Sequence, residues 1–344
     1  MIRKSAAFLL KNDVSSVGAD HRPLMLQEVM FCPVLAWVGA ELARAGVQRF
    51  FCACEEKWAD AAKKCFAEDA EVVIAPLEGC EDAMREFFGG EGGMSFAEPV
   101  LPMGGGFASF ASRAELFELH MACRDEIVRR HIQNGVLVMD PSNTYIDPRV
   151  VIGEGTVILP GSILRGKTSI GCNCEIGPNA MIRDCTVGNG TTVNASQINE
   201  STVGDETRIG PYSYLRPGCK LGNHVKLGDF VEVKNSTVGD YVSLSHLTYL
   251  GDSDVGERVN FGCGTVTANY DGAKKYRCTI GSGAFIGCNT NMIAPVKVGD
   301  GAYVAAGTTL TQDVPADALA VGRVKQVMKD GWARRHREKN NSKF

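Results

Sequence analysis

Aliphatic side chains recur about every six residues through the second half of the chain. The series contains Ile146, Ile152, Ile158, Leu164, Ile170, Ile176, Ile182, Val187, Val193, Val203, Ile209, Leu215, Leu221, Leu227, Val233, Val238, Leu244, Leu250, Val255, Phe261, Ile280, Ile286, Met292, Val298, Val304 and Leu310. A period of six fits neither an α-helix nor a lone strand. It predicts short strands joined by corners, three to a coil, whose stacking buries one aliphatic column. We therefore expect a parallel β-helix from Ile146 to Leu310.

The residue after many of these aliphatic positions is glycine, as at Gly153, Gly210 and Gly287. Glycine suits a corner because it adopts unusual backbone angles and lets coils stack closely. The period breaks between Thr267 and Arg277, where the residues are mostly polar. A polar insertion in a solenoid must leave the coil as a loop, and loops on rigid scaffolds commonly carry binding residues.

The first half of the chain alternates between strand and helix patterns. The expected strands are 6–10, 49–53 and Glu71–Ala75, and the expected helices are 34–45, 57–66 and 81–88. This alternation predicts an α/β domain with a parallel sheet. The glycine-rich stretch 89–106 is expected to be a loop. Arg113–Gln133 is expected to be one long helix that ends at Asn134-Gly135 and leads into the β-helix.

Composition narrows the class of protein. The 344 residues are 44% hydrophobic and 22% charged, as in soluble globular proteins, and a net charge of -4 argues against nucleic acid as a partner. No apolar run has the length of a membrane span, so no membrane partner is expected. The 13 cysteines lack the spacing of a zinc site. Reduced thiols, a cytoplasmic location and no metal are therefore expected.

His246, Arg216 and Lys234 are the residues best suited to chemistry in the β-helix. A histidine titrates near neutrality, so His246 suits a general base, although a packing histidine on a coil face also fits the spacing. Arg216 can bind a phosphate through two hydrogen bonds, and Lys234 adds a point charge. Solvated side chains on the solenoid face remain the alternative for both cations.

Ordered sequence blocks carry a family resemblance from about Arg124 to Trp332. The blocks are Tyr214-Leu215-Arg216-Pro217-Gly218, Phe230-Val231-Glu232-Val233-Lys234, His246-Leu247-Thr248-Tyr249-Leu250-Gly251-Asp252, Val259-Asn260-Phe261-Gly262-Cys263-Gly264-Thr265, Asn269-Tyr270-Asp271-Gly272, Ala305-Ala306-Gly307-Thr308-Thr309 and Gly322-Arg323-Val324. They resemble the bifunctional family that makes UDP-N-acetylglucosamine. That family joins an N-terminal uridylyltransferase to a glucosamine-1-phosphate N-acetyltransferase, whose fold is a left-handed parallel β-helix of hexapeptide repeats.

The resemblance implies a role for each matching residue. It makes His246 the general base of a direct acetyl transfer that needs no metal. The implied ligands of the sugar phosphate are Arg216, Lys234, Tyr249, Asn260 and Lys275. The residues implied to bind acetyl-CoA are Cys263, Asn269, Tyr270, Cys288, Ala306 and Arg323. Cys263 and Cys288 depart from the alanine and serine that are usual in the family. The family assembles as trimers, and its tail covers the site, a role implied here for Trp332 and the basic residues after it.

The N-terminal half matches the family less completely. Arg22-Pro23-Leu24-Met25-Leu26 and Cys32-Pro33-Val34-Leu35 align with the segments after the family's phosphate loop. That loop reads Gly-x-Gly-Thr-x-Met in the family, whereas this chain has Asp13, Ser15, Ser16 and Gly18 there, and two family lysines become Leu24 and Cys32. An aspartate where an anion would lie makes a poor phosphate site, so no uridylyl transfer is expected.

The expected organisation has four parts. A shortened, degenerate nucleotidyltransferase-like α/β domain occupies 1–112, a connecting helix 113–135, the β-helix 136–315 and a tail 316–344. The expected function is acetyl-CoA-dependent N-acetylation of glucosamine-1-phosphate in UDP-N-acetylglucosamine biosynthesis, by a cytoplasmic homotrimer. Three alternatives remain open. They are a fully bifunctional uridylyltransferase and acetyltransferase, an acyltransferase for another amino sugar or amino acid, and a non-catalytic trimeric scaffold or regulator.

Overall fold

The structure is a computed structural model that describes residues 4–13, 21–89 and 93–340. It begins with an α/β unit. The elements of this unit, with two 3-10 turns at Leu24–Leu26 and Glu56–Trp58, are β1 (Lys4–Leu9), β2 (Glu28–Val29), β3 (Cys32–Pro33), α1 (Val34–Arg44), β4 (Val47–Ala53), α2 (Ala59–Lys63), β5 (Glu71–Ala75), α3 (Cys80–Phe88), β6 (Met94–Phe96), β7 (Val100–Met103), β8 (Gly106–Ser109) and α4 (Arg113–Gln133).

The predicted parallel sheet is confirmed and has one more strand than expected. Its order is β5-β4-β1-β6, and all three pairings are parallel. The expectation of a loop over 89–106 was wrong, because β6 completes the sheet there and β7 begins an antiparallel hairpin with β8. The apolar residues Met94, Phe96, Val100 and Leu101 interrupt the glycines and form these strands. The predicted helix 57–66 is shorter, since α2 ends at Lys63 and a 3-10 turn precedes it.

Aromatic side chains fill the core on one side of this sheet. The Phe8 ring stacks on Phe96 at 5.1 Å, and the Phe50 ring stacks on Phe66 at 4.5 Å. Trp37 of α1 is fully buried in the same core. Offset aromatic pairs at such distances add specificity to the apolar burial, and this core is continuous with the aliphatic core of the second half of the chain.

The long helix α4 joins the α/β unit to the β-helix and has the bounds that the sequence predicted. The Ser112 hydroxyl accepts a hydrogen bond from the Glu115 backbone N–H, and the Glu115 carboxylate accepts one from the Ala111 N–H, which together cap the helix start. Leu116, Cys123 and Ile127 bury its inner face. The helix ends at Asn134, and Gly135 follows with a positive φ of 85°.

The second half of the chain forms the predicted parallel β-helix, in which the strand pairings fall into three stacks. Face 1 contains Tyr145–Ile146, Ile163–Arg165, Met181–Arg183, Gln197–Asn199, Tyr214–Leu215, Val266–Ala268, Asn291–Ile293 and Thr309–Leu310. Face 2 contains Val151–Ile152, Ser169–Ile170, Thr186–Val187, Thr202–Val203, Lys220–Leu221, Thr237–Val238, Ser253–Val255, Cys278–Ile280 and Val296–Val298. Face 3 contains Leu137–Val138, Val157–Ile158, Glu175–Ile176, Thr192–Val193, Arg208–Ile209, Asn260–Phe261, Phe285–Ile286, Tyr303–Val304 and Leu319–Ala320.

The predicted aliphatic series is the core of this β-helix. Every residue of the series is buried, and Ile198, which the series omitted, is fully buried as well. Each inward residue is paired with its counterpart in the next coil, as Ile146 is with Leu164 and Leu164 is with Ile182. The last strand, Leu319–Ala320, pairs with Tyr303–Val304, so pairing continues past residue 315, where we expected the β-helix to end.

Two strands run continuously from face 3 around a corner to face 1. They are Lys226–Lys234 and Ser243–Gly251, which pair in parallel over almost their whole length. Gly228 allows their close approach, because a Cβ there would lie 1.9 Å from the Ser245 carbonyl oxygen. The corner residues Phe230 and Leu247 have positive φ angles of 57° and 37°, which non-glycine residues rarely adopt. These two strands set their coils apart from the others, in which separate short strands lie on either side of the corner.

The first coils pack directly on the α/β unit. Arg149 forms a bidentate ion pair with the fully buried Asp147 and donates a hydrogen bond to the Phe31 carbonyl oxygen at 3.3 Å. The Arg165 guanidinium lies 4.6 Å above the Phe31 ring. The described chain ends in a short helix, Trp332–Lys339, and residues 321–340 are exposed.

Core substitution should destabilise the β-helix far more than substitution on its surface. Ile176 is fully buried, whereas Val151 is 62% exposed. Ile176→Ala should lower the free energy of unfolding by about 2–5 kcal/mol, because it leaves a cavity between coils. Val151→Ala is the control and should stay within about 0.5 kcal/mol of the wild type. Urea unfolding followed by circular dichroism measures both, and equal effects would contradict the assigned core.

Candidate active site

The corner between faces 3 and 1 places His246 directly above Asp229. The two residues are paired in the parallel ladder of the long strands. His246 Nδ1 lies 2.8 Å from Asp229 Oδ1, and both side chains are partly open to solvent. An ionised carboxylate only accepts hydrogen bonds, so Nδ1 carries the proton and donates a hydrogen bond to Asp229. The other ring nitrogen, Nε2, then has a free lone pair and can act as a base.

Asp229 stabilises the protonated form that His246 reaches when it accepts a proton. The hydrogen bond from His246 lowers the pKa of Asp229 below its usual value, and a hydrogen bond from the Asp229 backbone N–H contributes. Sequence reasoning selected His246 but missed Asp229. The sequence could have indicated Asp229, because this residue immediately precedes the block that begins at Phe230. It also lies 17 residues, or one coil, before His246.

Three predicted acetyl-CoA residues continue the same corner upward from His246. The ladders on both sides of the corner have equal offsets, which places Cys263 above His246, Cys288 above Cys263 and Ala306 above Cys288. We call Asp229, His246, Cys263, Cys288 and Ala306 the corner column. Arg323, another predicted acetyl-CoA residue, contacts the upper end of this column. Its Nη1 donates a hydrogen bond of 2.6 Å to the Ala306 carbonyl oxygen.

Two predicted phosphate ligands lie one coil apart on face 1. Tyr214 pairs with Glu232, so Arg216 and Lys234 occupy equivalent positions in successive coils. Arg216 Nη1 donates to Glu232 Oε1 at 3.0 Å, and Lys234 Nζ lies 3.6 Å from Asp252 Oδ2. Each cation therefore has a carboxylate partner that holds its side chain in place.

Asp252 is the buried carboxylate that organises this end of the site. Its side chain accepts hydrogen bonds from the amides of Asn235 and Asn269, and it pairs with Lys234. Burial alone would raise the pKa of Asp252, but the amides of Asn235 and Asn269 and the charges of Lys234 and Lys275 hold it below its usual value. Asp252 therefore stays ionised and fixes the groups around it. Sequence reasoning did not single it out, although it ends the His246 block.

Salt bridges and hydrogen bonds hold the projecting loop 269–277 over Lys234. Arg277 forms a bidentate ion pair with Asp254 and donates hydrogen bonds to the carbonyl oxygens of Asn235 and Ser253, at 3.0 Å each. Asp271 accepts hydrogen bonds from the Ala273 and Lys274 backbone N–H groups, which closes the turn. The sequence predicted this loop correctly. It did not predict that Arg277 would fasten the loop.

The loop brings Lys275 against Lys234. The positive charge of Lys234 and, more weakly, that of Arg216 lower the pKa of Lys275. Arg216, Lys234 and Lys275 thus bring three positive charges to the carboxylates of Glu232 and Asp252. The surplus of positive charge matches an anion, and the arginine and lysines suit phosphate.

Tyr249 lies between the two ends of the site. It is three residues beyond His246 on the same strand and pairs with Glu232 below. Its hydroxyl packs over Gly251, where a Cβ would lie 2.5 Å from the phenolic oxygen. Gly251 therefore makes room for the ring. Lys234 pairs with Gly251, five residues beyond His246 and past the corner at Leu247, which separates the base from the cations.

Three of the predicted site residues lie away from the base and the cations within a single chain. Asn260 lies on face 3, paired with Ser243 and Phe285, across the corner from the cations. Tyr270 is 59% exposed and donates its hydroxyl hydrogen to the Gly272 carbonyl oxygen within the loop. Trp332 stacks on His336 in the exposed tail and does not cover the corner column.

The degenerate phosphate loop is described only in part. Ser15, Ser16 and Gly18 lie outside the described residues. Asp13 is buried beside a cavity of about 170 Å³, and Glu98 lines the same cavity. The Asn12 amide is held by Glu55 and Trp58. Lys11 also lines the cavity, but its charge is opposed by Glu98 at 3.8 Å, and the two carboxylates repel a polyphosphate.

The two residues that stand where the family has lysines are buried and apolar in character. Leu24 and Cys32 both belong to the core. Burial raises the pKa of the Cys32 thiol to about 12, so it is neutral. Neither position can supply a cation to a phosphate.

Within the described ranges, no group of three or more histidine, cysteine, aspartate or glutamate side chains is arranged to hold a metal ion. The helices of those ranges are all too short or too polar to cross a membrane.

Comparison with known proteins confirms the predicted resemblance. A family model described as the GMPPB C-terminal domain matches residues 141–250, and the bacterial transferase hexapeptide model (six repeats) matches 277–312. The bifunctional protein GlmU of Geobacillus sp. (strain WCH70) is 50% identical over 230 residues, which are 67% of this chain and 50% of that protein. The bifunctional protein GlmU of Clostridium perfringens (strain SM101 / Type A) is 52% identical over 228 residues, or 66% of this chain and 50% of that protein.

The chain spans about half the length of the curated relatives that it matches. Among solved structures, the UDP-N-acetylglucosamine acyltransferase from Campylobacter jejuni aligns with 57% of this chain and 80% of its own, at 20% identity and a TM-score of 0.40.

The hydrogen bond from His246 to Asp229 at the corner predicts a depressed carboxyl pKa that depends on His246. A carboxylate whose folded pKa is lowered stabilises the fold above its ordinary pKa, and this contribution is lost as pH falls through the lowered value. Carboxyl NMR titration should give Asp229 a pKa below about 3.9, the ordinary value, and His246→Ala should raise it toward that value. Asp271, whose pKa is lowered by the Lys274 and Ala273 backbone N–H groups, is the internal control and should not move. An Asp229 pKa that ignores His246→Ala would contradict the pair.

Proposed function

We propose that this chain transfers the acetyl group of acetyl-CoA to the amino group of glucosamine-1-phosphate, in the biosynthesis of UDP-N-acetylglucosamine. The single observation that carries the proposal is the Asp229–His246 pair at one end of a strand whose other end faces three cations. A base and an anion site on one strand suit a substrate that has an amine and a phosphate. The 50% identity to bifunctional GlmU proteins supports this substrate class.

His246 acts as the general base of the reaction. The substrate amine attacks the thioester carbonyl carbon, and Nε2 of His246 takes a proton from the nitrogen as the C–N bond forms. The C–S bond then breaks, and the leaving CoA thiolate takes the proton from the His246 imidazolium, which releases CoA as the thiol and restores the base. Asp229 holds the imidazole in the tautomer with a free Nε2 and stabilises the imidazolium, in the manner of the aspartate in a catalytic triad.

The cations Arg216, Lys234 and Lys275 bind the sugar phosphate. The glutamate and aspartate partners keep Arg216 and Lys234 in place before substrate arrives, which lowers the ordering cost of binding. The phosphate then brings negative charge to a place where Lys234 and Lys275 crowd each other. Tyr249 lies beside the sugar, and Asn260 on face 3 of a neighbouring β-helix adds a hydrogen bond.

The upper corner column binds the acyl donor. Cys263, Cys288 and Ala306 present small side chains above His246, which leaves room for the thioester arm. Arg323 at the top of the column pairs with a phosphate of CoA. The family resemblance assigns Asn269 and Tyr270 to the acetyl group, but on this chain Asn269 holds Asp252 and Tyr270 bonds within the loop, so their part in acetyl binding requires the loop of a neighbouring β-helix. Asn260 and the exposed tail with Trp332 complete the site from neighbouring β-helices in a homotrimer. The enzyme acts in the cytoplasm, which accords with thirteen cysteines that are all free thiols.

We further propose that this chain does not transfer uridylyl groups. The described part of the first loop presents Asp13, and Glu98 lines the cavity beside it. Buried Leu24 and Cys32 offer no positive charge there. A triphosphate needs several cations or free backbone N–H groups, and the lysine that lines this cavity, Lys11, lies 3.8 Å from the Glu98 carboxylate.

Loss of the base should abolish acetyl transfer. With acetyl-CoA and glucosamine-1-phosphate, the wild type should release CoA, and His246→Ala should lower kcat by about 100- to 10,000-fold. His224→Ala is the matched control, because His224 stacks on Tyr241 at another corner, with ring centroids 4.6 Å apart, and should leave turnover unchanged. A thiol-trapping assay measures CoA release. Full turnover in His246→Ala would remove His246 as the base, and no turnover by folded wild type would overturn the substrate.

The absence of uridylyl transfer is tested with UTP, magnesium and N-acetylglucosamine-1-phosphate. No pyrophosphate should appear above the rate without protein. The same preparation must release CoA in the acetyl-transfer assay, which shows that the protein is folded and active. Pyrophosphate formation that depends on this chain would overturn this part of the proposal and favour the fully bifunctional enzyme.

A further inference from the structure

Cys263 and Cys288 differ from the other cysteines of the chain in their exposure. Of the 13 cysteines, all free and all in described ranges, nine are buried, two are half-buried, and Cys263 and Cys288 are exposed. Burial raises the pKa of most of the others, for example that of Cys185 to about 11, which keeps them unreactive. A thiol reagent in solution therefore reaches Cys263 and Cys288 more readily than the other cysteines.

The two cysteines occupy the same turn position in successive coils. Asn260 pairs with Phe285 and Val266 pairs with Asn291, so the ladders on both sides of the turn share one offset. The Asn289 backbone N–H donates a hydrogen bond of 2.8 Å to the Cys263 carbonyl oxygen, which ties the two turns together. A Cβ on Gly262 would lie 2.8 Å from the Cys288 Cα, so the coils are in close contact here.

This stacking fits the geometry of a disulfide bond. Adjacent parallel strands lie about 4.8 Å apart. A disulfide needs a Cα–Cα separation of about 4.4–6.8 Å. Both turns present their cysteine side chains on the same outer surface, beside Gly264 and Asn289, which have positive φ angles of 78° and 54°. A disulfide also needs a Cβ–Cβ separation of about 3.5–4.5 Å, slightly less than the spacing of adjacent strands, so the two turns must draw together for the bond to form.

We propose that Cys263 and Cys288 form a reversible dithiol–disulfide site in the wall of the active site. The oxidant is a low-molecular-weight disulfide such as glutathione disulfide. One cysteine thiolate attacks it, releasing one glutathione thiol and forming a mixed disulfide. The second cysteine then attacks the protein sulfur, releasing the second glutathione thiol. The two cysteines lose two electrons and two protons in total, and the glutathione disulfide gains them.

The disulfide would stop acetyl transfer because of its place in the corner column. Cys263 lies directly above His246, so both the mixed disulfide and the closed pair change the space over the base. A misplacement of reacting groups by about 1 Å costs about 100-fold in rate. This consequence rests on the proposed function of His246, whereas formation of the bond does not.

Peptide mapping and activity together test the proposal. The purified wild type is incubated with glutathione disulfide, alkylated and digested without reduction, and CoA release is measured on the same samples. We expect a peptide linked between Cys263 and Cys288, a loss of turnover of about 100-fold, and recovery of both after dithiothreitol. Cys172→Ser, which removes a half-buried thiol elsewhere on the β-helix, is the control and should form the same link.

Two variants separate the pair from general oxidation. Cys263→Ala and Cys288→Ala should each give no linked peptide, and the remaining thiol should carry glutathione instead. The proposal is overturned if both thiols of the wild type are alkylated and no link appears, or if the link forms without any loss of turnover. Reduced wild type that releases no CoA refutes the proposed function, while the peptide map still decides the disulfide.

Discussion

In-register stacking of parallel coils is the constraint on which the rest of the structure depends. Each coil repeats the hydrogen-bond register of the one below, so a residue is fixed above its counterpart 16 to 18 residues earlier, except across the inserted loop and at the first strand of face 3. The buried aliphatic column maintains this register, because a slip of one residue would expose the whole inner set. Asp229 and His246 meet for this reason, although 17 residues separate them.

The same constraint explains why the site is rigid where it holds charge. Asp252 is buried at the end of a long strand and ionised, with hydrogen bonds from Asn235 and Asn269. A buried carboxylate of this kind is costly unless its hydrogen bonds are satisfied. Once they are, it fixes Lys234 and the start of the loop 269–277. The loop then places Lys275 without help from the core.

The sequence predicted the β-helix well because its period is local and repeats many times. It predicted α4 to the residue, since the Ser112 cap and the Asn134-Gly135 end are strong local features. The loop assignment over 89–106 failed because glycines hid the apolar residues of β6 and β7, whose pairing could not be read from the local pattern. The site residues His246, Arg216 and Lys234 were found through their sequence blocks. Asp229, Asp252 and Arg277 were missed because their roles arise only when coils stack.

A crystal structure with bound glucosamine-1-phosphate tests most directly whether one strand joins the base to the anion site. The account predicts that the phosphate lies within hydrogen-bonding distance of Arg216, Lys234 and Lys275, and that the amine faces Nε2 of His246. A phosphate bound away from these cations, or an amine turned away from the Asp229–His246 pair, would contradict it.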